Sequence, residues 1–170
     1  AVYLANVLGL DMGMFYKRRD YSKIVDGRNP IVAHEFLGSS VEGKDVIIID
    51  DMISSGDTII KIASLLKEKG AGRVYICSTF GFFTDGLDKF DDAYKKGYFD
   101  KLLTTNLVYQ SPELLEKPYY ISCDMSKYIA LIIDTLNHDT SVSHLLNPVD
   151  RIKRCVTNYM SQHLSLIHIS

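Results

Sequence analysis

The sequence predicts an α/β fold, a mostly parallel sheet flanked by helices, and three observations carry that prediction. The β-branched run "VIIID" (46–50) has the continuous apolar content of a central parallel strand. The amphipathic segment "TIIKIASLLKEKG" (58–70) and a second buried run, "RVYICSTFG" (73–81), follow it. Strand, helix and strand within about 35 residues make a βαβ unit. The same alternation continues towards the C-terminus, with no internal repeat, low-complexity segment or domain-sized linker.

In chain order, "AVYLANVLGL" has helical apolar spacing and Gly9 as its C-cap. It has no initiator Met and no N-cap, so it reads as the last turns of a helix whose start is missing. "DMGMFYK" (11–17) is a short strand that delivers "KRRD" at its end, and "YSKIVDGRNP" (21–30) is a loop rich in turn formers. "IVAHEFLG" (31–38) is strand-like and "SSVEGKD" a turn, leading into the central strand. Ile59, Ile62, Ala63 and Leu66 give the next helix its apolar face, Lys67 and Lys69 suit its last turn, and Gly70 ends it. "DKFDDAYKKGYFD" (88–100) is read as one short, solvated helix before the strand "KLLTTNLV". "YYISC" (119–123) is the last strand, followed by a helix from Met125 with Asp124 as N-cap. "NPVDRIKRCVTNYM" (147–160) is a final helix with Asn147 as cap and Pro148 at its first position. The expected domain covers 1–160. Residues 161–170 lose the amphipathic pattern and read as a tail foreign to the protein.

Composition narrows the function classes. The chain has 170 residues, 46% hydrophobic and 24% charged, and a net charge of −2. That balance suits one globular domain and lacks the basic excess of a nucleic-acid binder. No run of about 18 apolar residues offers a membrane span. Cys77, Cys123 and Cys155 are odd in number and widely spaced, so neither a disulfide framework nor a zinc site is indicated, and a cytoplasmic location is expected. Cys77 reads as core packing. His34, His138 and His144 have no ligand spacing.

The chemistry concentrates in "VIIIDDMISSGDTI" (46–59), where a buried strand runs into Asp50 and Asp51 and then a loop of Ser54, Ser55, Gly56, Asp57 and Thr58. In open α/β sheets ligands bind beyond the carboxyl ends of the strands. A helix opening at Ser54–Thr58 would present unpaired N–H groups to a phosphate, with Gly56 allowing close approach and the hydroxyls adding donors. No GxxxxGK[ST] motif is present, so this is a monophosphate cradle and not a nucleotide P-loop. Paired carboxylates accept well from the two hydroxyls of a vicinal diol. Phosphate on the loop and diol on the acids describe a ribose 5-phosphate unit. The same residues also fit a strand end with helix-capping acids and an ordinary turn, and spacing alone does not choose between these readings. The run Phe80, Phe82 and Phe83 fits base stacking, an interface or a core.

An apolar strand, Asp-Asp, two further residues and a hydroxyl-rich loop ending in Thr resemble the phosphoribosyl-pyrophosphate motif of type I phosphoribosyltransferases and ribose-phosphate pyrophosphokinases. "FYKRRD", "FLG", "VEGKDVIIIDDM" and the closing "SVSHLLNPVDRIKR" resemble the pyrophosphokinases in particular, specifically their C-terminal half. The resemblance implies a phosphoribosyltransferase-like fold with an antiparallel flap region. It implies transfer of the β,γ-diphosphoryl group of ATP to ribose 5-phosphate, with Mg²⁺ as cofactor, in a homo-oligomer. By position, Asp50 and Asp51 would hold the ribose hydroxyls and Ser54, Ser55, Gly56, Asp57 and Thr58 the 5-phosphate. Lys17 and Arg19 would be catalytic, on a loop that closes over the substrates, with Arg28 near a phosphate or on the plain surface. Metal ligands are expected outside this chain. Two positions depart from the family pattern: Ser54 stands where many relatives carry an acid, and Asp57 where Gly is common. A phosphoribosyltransferase using the same loop, or a non-catalytic subunit that keeps it, are the competing expectations. The Lys17-Arg18-Arg19 strand end favours the pyrophosphokinase over the first, and the intact Asp50-Asp51 pair disfavours the second.

Overall fold

The apolar run that begins at Val46 forms the first of four parallel strands, and the sheet grows from it in sequence order. The structure, a computed structural model, describes residues 1–19 and 31–164. Its elements are α1 (Val2–Leu8), β1 (Met14–Arg19), β2 (Ile31–Leu37), β3 (Val46–Ile53), α2 (Asp57–Glu68), β4 (Val74–Gly81) and α3 (Asp88–Lys95). They continue as β5 (Lys101–Thr105), α4 (Pro112–Leu115), β6 (Tyr120–Cys123), α5 (Ser126–Asn137), α6 (Ser143–Leu146) and α7 (Val149–Leu164). The loop expected at 21–30, with Arg28, and residues 165–170 lie outside the described residues.

The chain groups into two compact units, Asp11–Met125 and Val2–Leu10 with the chain from Ser126. In the first, strand order is β3-β4-β5-β6, and every pairing is parallel. Right-handed crossovers that always step the same way put their helices on one face. Burial agrees: Val74, Ile76, Leu102 and Tyr120 of the sheet pack with Ile59, Ala63 and Leu66 of α2, Phe90 and Ala93 of α3, and Leu114 of α4. On the other face Ile47, Ile49 and Ile121 stay exposed. The β1–β2 pair is a separate antiparallel sheet, whose Phe15 and Phe36 rings lie 5.1 Å apart and pack against the same core.

An aromatic group locks α3 to the start of β6. Tyr94, Phe99 and Tyr119 have ring centroids 5.1 to 5.9 Å apart. Tyr119 Oη donates to Asp91 Oδ1 at 2.8 Å, while Lys117 Nζ meets Asp91 Oδ2 at 2.7 Å. At the amino ends of the strands, Asp45 accepts from the backbone N–H and Nε of Arg73, both at 2.9 Å.

In the second unit α1 and α7 touch, and Leu10 N–H closes the first helix onto Ala5 O at 2.9 Å with Gly9 at φ 65°, the cap expected there. Tyr128 Oη donates to Leu145 O at 2.8 Å under the Arg151 guanidinium.

Several boundaries differ from expectation. β3 runs on through both aspartates to Ile53, because pairing with β4 continues as far as Ile53 and Gly81. α3 stops at Lys95 and not at 100, since Gly97 takes φ 71°. α5 starts at Ser126, just after the expected Met125, and the Asp124 carboxylate accepts from Asn106 Nδ2 at 2.8 Å. α7 runs through Leu164, past the expected end at 160, with Asn147 Oδ1 accepting from Val149 N–H at 3.2 Å. The short helix α4 was legible but unread: Ser111 Oγ accepts from Leu114 N–H at 3.2 Å, with Pro112 at the first position.

Phe90 is fully buried under the sheet. Phe90→Ala should cost about 3–5 kcal/mol, read as a lower denaturant midpoint at unchanged slope; a loss below about 1 kcal/mol would contradict the packing described.

Candidate functional site

The site grows from the junction of β3 and α2. Alternating β-branched residues hold β3 in the sheet, and the parallel ladder carries its last residues, Asp50 to Ile53, to the carboxyl edge where α/β ligands bind. The chain must then turn into α2 within three residues. Gly56 makes that turn at φ 89° as the N-cap, with no side-chain cap bond of its own, and the Asp57 N–H has only a long 3.5 Å contact to Ser55 Oγ. The first-turn N–H groups therefore keep their donor capacity and the positive end of the helix dipole.

A second constraint fixes Gly56. A Cβ there would lie 2.2 Å from Phe90 Cζ and 2.6 Å from Cε2, so the backbone lies against the Cζ end of the ring and only glycine fits. The segment after β4 ties down the rest of the loop. Phe82 N–H donates to Ile53 O at 2.8 Å, Thr84 N–H to Ser54 O at 3.1 Å, and the Ser54 and Thr84 hydroxyls meet at 3.5 Å.

The acids behave differently from one another. Asp50 is half-buried; burial pushes its carboxyl above the ordinary 3.8, and the neighbouring Asp51 carboxylate adds to this, partly offset by the Asp51 N–H that Asp50 Oδ1 accepts at 2.9 Å. Asp51 is exposed. Asp57 is the reverse case: Lys89 Nζ at 2.7 Å and the Ser55 hydroxyl at 2.9 Å hold its carboxyl below the usual range. Lys89 also reaches Asp85 Oδ2 at 3.1 Å, and both acids push its ammonium up.

The structure thus brings Asp50, Asp51, Ser54, Ser55, Gly56, Asp57 and Thr58 together at one edge, with Ser54 and Thr58 exposed. Ser55 spends its hydroxyl proton on Asp57, and Asp57 turns its carboxylate to Lys89, which leaves backbone donors as what this part of the loop offers an anion. Lys17 and Arg19 are placed by their backbone on β1, opposite His34 and Ile31, with a register shift between Arg18 and Arg19. Phe83 joins Phe90 and Tyr120 in the core, while Phe80 and Phe82 stack at 6.3 Å on the exposed side. Sequence reasoning missed Lys89, Phe90 and Thr84. A lysine in the first turn of a helix opposes the dipole, and that was the available signal for Lys89.

Residues 24–147 match the phosphoribosyl synthetase-associated domain. The chain belongs to this family. Among curated relatives, the ribose-phosphate pyrophosphokinase of Vibrio parahaemolyticus is 30% identical over 144 residues, covering 84% of this chain and 43% of the relative. That of Thermococcus kodakarensis is 35% identical over 106 residues, or 62% of this chain and 34% of the relative. The crystal structure of phosphoribosylpyrophosphate synthetase from Mycobacterium smegmatis superposes with a TM-score of 0.55 at 24% identity, over 63% of this chain and 34% of that one. This likeness supports the fold. The resemblance read from the Asp-Asp loop and the strand end at Lys17–Arg19 is confirmed, and the chain spans less than half the length of the relatives it matches.

The two acids should separate on titration. Carboxyl-carbon NMR is expected to place Asp50 above 3.8 and Asp57 below it. As pH falls through the raised Asp50 value the fold gains stability, and as it falls further through the lowered Asp57 value that gain is opposed. The opposite order of the two resonances would refute the pairing of Asp57 with Lys89.

Proposed function

We propose that the protein is a ribose-phosphate diphosphokinase, moving the β,γ-diphosphoryl group of ATP to the anomeric hydroxyl of ribose 5-phosphate and releasing AMP. The observation that carries this reading is a carboxylate pair at a strand end directly beside an uncapped helix N-terminus. The backbone N–H groups of Gly56 to Thr58, with the Ser54 and Thr58 hydroxyls, take the 5-phosphate. Asp50 and Asp51 accept from the ribose hydroxyls. Family membership and the pyrophosphokinase relatives support the assignment.

In the reaction the anomeric oxygen attacks the β-phosphorus, its bond to phosphorus forms as the bond from the α,β-bridging oxygen breaks, and AMP leaves with the electron pair. The hydroxyl proton goes to solvent. Charge accumulates on the transferred oxygens, and cations placed there lower the barrier. Lys17, a movable point charge, and Arg19, a planar fork, suit that task from β1. Mg²⁺ would supply further charge neutralisation. It commonly binds through one or two carboxylates and substrate phosphates, and the described residues hold no group of three or more His, Cys, Asp or Glu that could bind it, in line with ligands outside this chain. We further propose a cytoplasmic homo-oligomer acting in nucleotide biosynthesis, with no nucleic-acid or membrane partner. Among the described residues no helix is long and apolar enough to cross a membrane.

The test is AMP release by the full-length gene product with ATP, Mg²⁺ and ribose 5-phosphate, each omitted in turn. AMP should form only with all three. Asp51→Asn should raise KM for ribose 5-phosphate about tenfold, the weight of a charge-assisted hydrogen bond. Lys17→Ala should cut kcat about a hundredfold with little change in KM. Sugar-phosphate binding without AMP formation would favour the transferase or the non-catalytic subunit.

A further inference from the structure

We infer that Lys89 is a positioning residue for the sugar-phosphate site: it neutralises Asp57 and holds that carboxylate away from the bound anion. The inference rests on the proposed ribose 5-phosphate site and adds to it a residue outside the loop.

Asp57 is the difficulty the loop must solve. It is the first residue of α2, beside the N–H groups that would hold a dianion, and a carboxylate there repels the ligand. Lys89 answers from α3. Its Nζ lies 2.7 Å from Asp57 Oδ1 and 3.1 Å from Asp85 Oδ2, so one cation faces two acids. Ser55 Oγ holds the other Asp57 oxygen at 2.9 Å, which fixes the carboxylate in orientation as well as charge.

An exposed ion pair alone would mean little. Three features set this one apart. Lys89 sits in the first turn of α3, where the helix dipole disfavours a cation, so the position costs stability that the acids must offset. Its side chain is only 31% exposed, although Asp57 is 69% exposed. The next residue, Phe90, is the ring on which Gly56 rests, so α3 presents its steric support and its charge to adjacent loop residues. With Lys89, the group Asp57, Asp85 and Lys89 carries one net negative charge; without it, two.

The experiment is calorimetric binding of ribose 5-phosphate to the full-length gene product at pH 7.5 and 5.5. The ligand's second phosphate ionisation, near pH 6, makes it mainly dianionic at the first pH and monoanionic at the second. Lys89→Met should bind about fivefold more weakly at pH 7.5, with a smaller loss at pH 5.5. Lys89→Arg should stay within about twofold of wild type, and so should Asp57→Asn combined with Lys89→Met, which returns the group to one negative charge. Unchanged affinity in Lys89→Met at pH 7.5 would overturn the inference. So would an equal loss at both pH values that persists in the double variant, the mark of a merely structural lysine. If Lys89→Met does not fold, Asp57→Asn carries the test: binding about fivefold tighter is expected, and unchanged or weaker binding overturns the inference. Failure of the wild type to bind ribose 5-phosphate would remove the functional reading itself, a result distinct from wild-type binding that Lys89 does not affect.

Discussion

The site depends on one close approach, the Gly56 backbone against the Phe90 ring. A Cβ at position 56 would enter the ring's van der Waals shell, and the φ of 89° is a conformation that side chains disfavour. Both facts make the loop rigid for the same reason. Phe90 is buried among α2, the sheet and Phe83, so it cannot withdraw, and Gly56 is fixed by the core and not by the loop's own contacts. The proposed phosphate cradle of backbone N–H groups would need this. Such donors cannot swing to meet a ligand, so their aim must be set by packing.

Sequence reading recovered what periodicity encodes. The β3–α2–β4 unit, its parallel pairing and the position of the Asp-Asp loop followed from a β-branched run, an amphipathic run and a cluster of small residues. Boundaries failed where tertiary pairing overrode local signals. Asp50 and Asp51 are poor strand residues, yet the ladder to β4 carries β3 through them to Ile53. Within the site, the loop residues were legible because they are contiguous. Lys89 and Phe90 were not, because their partners lie about thirty residues away and their segment, "DKFDDAYKK", shows the pattern of a solvated helix.

Within the first unit, helices cover one face of the parallel sheet, and on the other Ile47, Ile49 and Ile121 are exposed, with Tyr75, Cys77 and Leu103 half-buried between them. Parallel sheets are ordinarily buried on both faces. The packed face, where the aromatic group of Tyr94, Phe99 and Tyr119 lies, supplies the stability that holds the loop. Covering the second face would add to that stability without altering the loop, because the Gly56 contact faces α3.

The electrostatics follow from the same geometry. Asp50 sits where burial and a like charge disfavour its ionised form, which makes it a stronger hydrogen-bond acceptor for a ligand that brings donors and no charge of its own to that end. Asp57 sits where a cation and a hydroxyl already hold it, so its charge is partly offset before an anion arrives. A polyol end and an anion end, a few residues apart, are what one sugar phosphate presents. In the proposed assignment the pair of unlike environments would orient the ligand: reversed, it would put the phosphate against an unsatisfied acid pair and the hydroxyls against donors already suited to anions. That asymmetry comes from burying one acid and pairing another.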